Sequence, residues 1–156
     1  MGMVDISKKD VIERIAEAEG QIHLLPDTIE KIRQGEIQKG DPFKVAEIAG
    51  MLSVKKTHLL IPHCHPLPIE SVRFDFQLSD SYVIVRCTVK ARAKTGVEME
   101  ALVGVSMALN TIWDMVKYLE KDEEGQYPTT KITDIRVIRK VKGSIEWQKL
   151  REERIS

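Results

Sequence analysis

Much that would narrow a function at once is missing from this chain. Two cysteines, Cys64 and Cys87, in 156 residues are too few for a disulfide framework, so the cytoplasm is the expected setting. Neither sign of charge dominates: Lys+Arg and Asp+Glu both number 24. No global field therefore draws in nucleic acid or an anionic membrane, and an anion site has to come from local clustering. No apolar run reaches the ~18 residues that suggest a membrane span. Residues 1–5 lack the basic-then-apolar pattern of a secretory signal, so none is expected. Internal repeats, low-complexity stretches and dividing linkers are also missing. What remains is a globular balance, 31% charged and 42% hydrophobic, in a length suited to one domain, residues 1–156, with a sizeable core.

Local patterns outline the elements. Arg14 to Leu24 carries no clean helical stripe, and its end, residues 21–25, allows a strand. Residues 27–33 read as a short helix that Asp27 caps and Gly35 ends. Asp41 before Pro42 is a stronger start, an N-cap acceptor followed by a proline at the first helical position. Val45, Ile48, Ala49 and Leu52 then form a stripe at helical spacing, to about Lys56. Val72, Phe74, Phe76 and Leu78 alternate with polar residues, and Val83, Val85, Cys87 and Val89 do so after the turn at 79–81. The two predict an antiparallel hairpin. The longest helix runs from Val97 to about Glu120, with small Gly104, Ser106 and Ala108 suited to close packing against a sheet or a second subunit. A last strand is expected near Lys131–Lys140, and a mostly charged tail, 146–156, is expected to fray. The sum is an α+β fold, a ferredoxin-like antiparallel sheet packed against helices.

Three clusters bear chemistry. In Gly96-Val-Glu-Met-Glu100 two acids stand at spacing two where a helix N-terminus needs only one. At least one is aimed elsewhere. His63-Cys64-His65-Pro66, with His58 upstream, reads either as a proline-held turn with a buried cysteine or as a pocket in which His65 acts as acid or base. A zinc site competes poorly, because adjacent His-Cys-His side chains alternate in direction and no second Cys/His group has finger-like spacing. Lys39 precedes the Asp41 helix start, where it is either solvated or placed to hold a phosphate. Asp114 and Lys117 share a face of the long helix, as a surface ion pair or as a half-buried pair among Ile112, Trp113, Met115 and Val116.

In their order and spacing, Lys39-Gly-Asp41, Ile61-Pro-His-Cys-His-Pro66, Lys94-Thr-Gly-Val-Glu-Met-Glu-Ala-Leu102 and Trp113-Asp-Met-Val-Lys117 closely resemble the molybdenum cofactor biosynthesis protein C family, the cyclic pyranopterin monophosphate synthases. The likeness spans about residues 3 to 144. It implies a ferredoxin-like subunit in a dimer-based hexamer, a trimer of dimers. It implies a lyase that rearranges a cyclised dihydro-GTP into cyclic pyranopterin monophosphate and releases pyrophosphate. By motif position the catalytic set is Lys39, His65, Glu98, Glu100, Asp114 and Lys117. His63, Cys64, His65, Met99 and Glu100 match substrate contacts, and Asp5, Lys9 and Arg14 match positions that reach a neighbouring subunit's substrate. The phosphate work then goes to Lys39, Lys9 and Arg14, and base-end proton transfers to Glu98, Glu100, Asp114 and Lys117. No cofactor is required; magnesium on the triphosphate is compatible, but no carboxylate cluster demands it. The chain departs from the family's last loop, which is rich in Lys, Ser and Gly. Here the run is Arg139-Lys-Val-Lys-Gly-Ser144, and Lys140 or Lys142 replaces the loop lysine. The competing readings are a metal-binding regulatory domain and a non-catalytic ferredoxin-like module that binds nucleotide or a partner.

Glu100 and Asp114 stand fourteen residues apart on one helix, roughly 21 Å at 1.5 Å per residue. Short side chains of one straight helix do not both reach a small pterin. Either an elongated nucleotide bridges them or each pocket mixes two subunits.

Overall fold

In a computed structural model that describes residues 1–143, the chain runs β1 (Ile12–His23), α1 (Pro26–Gln34), α2 (Pro42–Lys55), α3 (Thr57–Leu60), β2 (Ile69–Leu78), β3 (Tyr82–Ala93), α4 (Glu98–Glu120) and β4 (Lys131–Lys142). The tail from Glu146 and its expected fraying lie outside the described residues. The strands form one antiparallel sheet in the order β2-β3-β1-β4, so the α+β expectation holds with the ferredoxin-like strand order. Helix α4 lies over β1, β3 and β4, and α2 packs beside it toward β2. Between these layers sit Val83, Val85, Cys87 and Val89 of β3 and Ala101, Val105, Ala108, Leu109 and Ile112 of α4. Burial pushes the Cys87 thiol up to about 12, which makes it an inert core group.

β1 is twice as long as its sequence signal. Its inward positions are Arg14, Ala16, Ala18, Gly20 and Ile22, poor in the β-branched and aromatic residues that mark strands. Being the central strand, hydrogen-bonded to β3 and β4 along its length, overrides that weak propensity. The small side chains are what α4 needs to lie close. A Cβ at Gly20 would stand 2.7 Å from Leu109 Cδ1 and 2.9 Å from Ile135 Cγ1.

The expected cap of α1 is corrected. Asp27 lies in the first turn, Leu25 is the N-cap and no side chain of the helix start caps it. The capping acceptor comes from the end of α4. Glu120 receives the Leu25 N–H at 3.1 and 3.2 Å, the Thr28 hydroxyl, and the Thr130 hydroxyl at 2.8 Å. This fully buried carboxylate is thus satisfied, and it ties α1, α4 and the approach to β4 together. Gly35 ends α1 at φ +72°, as its position predicts. Asp41 does cap α2, accepting from Phe43 N at 2.9 Å and Lys44 N at 3.4 Å.

The stripe Val45, Ile48 and Leu52 marks α2 but not its buried face. All three are exposed, while Ala46, Gly50, Ser53 and Val54 face inward. Close approach to α4 selects the small side, where Gly104 meets Val54 and Cys87. The sheet's other face is polar and laced with ion pairs, Glu19 to Arg86 (2.9 Å) and Arg136 (3.2 Å), and Glu13 to Lys90 (3.0 Å). Edge strand β4 leaves Ile135, Val137 and Ile138 exposed. No helix among the described residues is long and apolar enough to cross a membrane.

Candidate active site

The chemistry-bearing residues gather at the two ends of α4. At its start, Glu98 reaches Lys140 of β4, Oε1 to Nζ, at 2.5 Å. A Cβ at Gly96 would stand 2.7 Å from Glu98 Oε1, so the bare backbone lets this carboxylate fold back over the helix start. Partial burial is the largest single influence on the Glu98 pKa and raises it, but the Lys140 hydrogen bond, the backbone N–H and the charges of Lys140 and Arg14 together hold the group below the ordinary carboxylate value. Of the two candidate loop lysines, Lys140 is thus the one at the acid pair, while Lys142 lies exposed at the end of β4.

Glu100 points inward. It is 5% exposed, and its Oε2 is a buried oxygen without a hydrogen-bond partner among the described residues. Burial pushes its pKa up to about 7, opposed by its own backbone N–H and reinforced by the Glu98 charge. The two acids therefore separate as expected from their spacing: one is paired and ionised, the other buried and poised near neutrality. Burial and then the Glu100 charge raise the Cys64 thiol, so the loop after α3 brings this cysteine toward the same carboxylate.

The N-terminal segment lies along this end of its own chain. His65 Nε2 is 2.8 Å from Val4 O, Lys94 Nζ donates to Ser7 O at 3.2 Å, and Asp5 Oδ1 accepts from Ser7 N at 2.8 Å. Lys9, His63 and Met99 are exposed. Arg14 is turned inward and committed to its own chain: Nε donates to Ala93 O at 3.3 Å and Nη2 to Lys94 O at 3.2 Å. It fixes the segment that leads into Glu98.

At the other end of α4, Lys39 Nζ donates to Asp114 O at 2.7 Å and lies 3.4 Å from Oδ2, while Lys117 Nζ is 2.9 Å from Oδ1. Of the two readings of the Asp114–Lys117 pair, the surface ion pair is the one observed. Asp114 is 60% exposed at the side chain, because the apolar neighbours Ile112, Met115 and Val116 turn to the core and leave positions 114 and 117 outward. The Lys117 hydrogen bond and then the charges of Lys117 and Lys39 lower the Asp114 pKa, and Asp114 in turn raises that of Lys117. Asp114 and Lys117 therefore both favour their charged forms. Lys39 and Arg14 stand at opposite ends of α4 within one chain, so their expected grouping at the phosphates requires residues from two subunits.

Sequence reasoning passed over Tyr118, whose hydroxyl accepts the Gln38 N–H at 2.8 Å and so anchors the loop carrying Lys39. It also passed over Asn110 as a lining residue. Asn110, Trp113, Asp114 and Lys117 border an open hollow of about 390 Å³, and their spacing of three, four and seven on one helix was the available signal. Among the described residues no three His, Cys, Asp or Glu side chains are arranged to hold a metal.

A family model described as the MoaC family matches residues 3–143. A relative from Archaeoglobus fulgidus is 60% identical over 144 residues, 92% of each chain. One from Thermococcus kodakarensis is 57% identical over 141 residues, 90% of each. One from Sulfolobus acidocaldarius is 55% identical over 141 residues, covering 90% of this chain and 99% of its own. Each is named a probable cyclic pyranopterin monophosphate synthase. With its model match running from end to end of the described fold and its curated relatives aligned over nine-tenths of their length, the chain belongs to the MoaC family.

Proposed function

We propose that the protein is a cyclic pyranopterin monophosphate synthase, a lyase of molybdenum cofactor biosynthesis acting in the cytoplasm. Its substrate is 3',8-cyclo-7,8-dihydro-GTP, and its products are cyclic pyranopterin monophosphate and pyrophosphate. The observation that carries this reading is Glu100, a buried carboxyl with an unpartnered oxygen and a pKa near 7, beside an ionised partner acid. Binding alone has no use for such a group, whereas proton transfer at neutral pH does.

The rearrangement opens one ring and closes another, so protons must leave and return at nitrogen and carbon. Glu100 exchanges them, and Glu98, held by Lys140, keeps a fixed negative charge beside it. His65 and Cys64 border the same end. The cyclic phosphate forms when a ribose hydroxyl attacks the α-phosphorus. The new P–O bond replaces the bond to pyrophosphate, and the hydroxyl proton passes to a base. Lys39 and Lys117 stabilise the negative charge that grows on the phosphoryl oxygens, and Asp114 sets their positions and is the base nearest to hand.

The two sets lie too far apart on one helix to close around one ligand. Each pocket therefore joins the start of α4 in one subunit to the end of α4 in its neighbour, within a dimer-based hexamer. Asp5 and Lys9 reach the substrate only if the N-terminal segment leaves the contacts it makes here. No resident metal is required, and magnesium on the triphosphate is compatible with this reading. The test is incubation with the cyclised dihydro-GTP. Pyrophosphate release, together with pterin fluorescence after oxidation, is expected; neither appearing under reducing conditions removes the synthase reading.

A further inference from the structure

We infer that Trp113, with Asn110 beside it, is the wall on which the substrate's planar heterocycle stacks at the far end of α4. The inference rests on the synthase reading and adds a binding surface to it. Residues 112, 115 and 116 around Trp113 are buried in the core, whereas the indole is left half-buried along the hollow. Tyr127, between α4 and β4, packs against it at 5.3 Å between centroids with planes 69° apart, so the ring is held rather than free to turn. A large aromatic group kept partly in water, braced by a second ring, offers a flat apolar surface at fixed orientation.

The rest of the hollow matches the same ligand class. Lys117 lines the hollow and Lys39 reaches the same Asp114 from the loop before α2, so cations outnumber the acid by one, which suits an anionic nucleotide. Asn110 spends an amide hydrogen on Ser106 O at 2.7 Å, which leaves its Oδ1 to accept from a ring N–H. A volume near 390 Å³ lies within the range of small-molecule sites. An aromatic wall, an acceptor and fixed cations along one helix face are what a purine-derived nucleotide needs, and an inorganic anion needs only the last.

Steady-state kinetics with the cyclised dihydro-GTP, read as pyrophosphate release, tests this. Trp113→Leu is expected to raise KM about tenfold, the size of one base–aromatic stack, with kcat nearly unchanged. Trp113→Phe should keep a KM close to that of the unsubstituted protein. A merely structural role would lower Tm and leave KM in place, and that outcome overturns the inference, as does a loss confined to kcat. Should Trp113→Leu lose its helical circular dichroism, the emission of Trp113 in a Trp147→Phe protein decides. A saturable drop on adding substrate supports the stack, and unchanged emission during turnover refutes it. If the unsubstituted protein releases no pyrophosphate, it is the synthase reading that fails, and the two failures are thereby told apart.

Discussion

The two ends of α4 carry acids of the same chemistry in opposite states. At the start, Glu100 is 5% exposed and pushed up to about 7. At the end, Asp114 is 60% exposed at the side chain and pulled down by two lysines. One end is enclosed and poised to exchange a proton. The other is open, and its charges are fixed. Enclosure makes a carboxylate reactive near neutrality because desolvation penalises the charged form. Exposure with paired amines makes a site that holds and neutralises anions, and water screens it heavily until something covers it. The difference teaches that the second end is completed only when ligand or a neighbouring subunit excludes water from it.

The sharpest way to break this comparison is Glu100→Gln, which keeps shape but cannot titrate. Turnover should fall about 10²- to 10⁴-fold, the usual size of a lost acid–base group. A loss smaller than that for Asp114→Asn would assign the proton work to the open end instead. A second experiment asks whether the two ends of one site belong to different chains. Glu100→Gln and Lys117→Ala proteins, each inactive alone, are unfolded together and refolded as an equal mixture. If each pocket joins two subunits, each contributor is intact half the time, so about a quarter of full activity returns. If a pocket draws both ends from one chain, the mixture stays inactive.

The enclosed end should also be visible in stability. An ordinary glutamate titrates near 4.5 and Glu100 at about 7. Between those values the folded chain keeps a proton that the unfolded chain has lost, so stability falls as pH rises through the window. At about 1.4 kcal/mol per pH unit over this window, the penalty above pH 7 is on the order of 3.5 kcal/mol. Glu100→Gln should therefore be the more stable protein at pH 8 and lose most of that advantage at pH 5, as read from urea midpoints. Parallel pH profiles for the two proteins would mean that Glu100 is not desolvated in solution.

How much of this was legible in the sequence follows from the range of each interaction. The Asp41 cap, the β2–β3 hairpin and the extent of α4 rest on neighbours a few residues apart, and local pattern shows them. The excess acid at 98 and 100 also announced itself locally. β1 did not, because Ala16, Ala18 and Gly20 are chosen for a helix crossing above them rather than for strand propensity. Glu120 looked like the last acid of a helix, and its partners Leu25 and Thr28 lie more than ninety residues back. The sequence leaves the outward turn of Asp114 open beside a half-buried alternative because its neighbours are apolar, although helical spacing places it off their face. Lys39 reads as a loop lysine until the fold lays that loop against the end of α4.

The smallest effect expected concerns that loop. Tyr118 accepts the Gln38 N–H at 2.8 Å, and the next residue, Lys39, donates to Asp114 O at 2.7 Å. Gly40, at φ +109°, leaves the chain beside them free to take other conformations. Tyr118→Phe removes one exposed hydrogen bond, worth at most about 1 kcal/mol because water replaces the hydroxyl. The fold should therefore keep its Tm within a few degrees. Lys39, however, would lose one of the attachments that fix it, and a cation that must meet a transition-state charge suffers from small displacement. A drop of a few-fold in kcat, with KM close to that of the unsubstituted protein, is the expected result. Unchanged kcat would show that Asp114 alone fixes Lys39. A loss equal to that of Lys39→Ala would make the tyrosine, rather than the ion pair, the element that orders the open end.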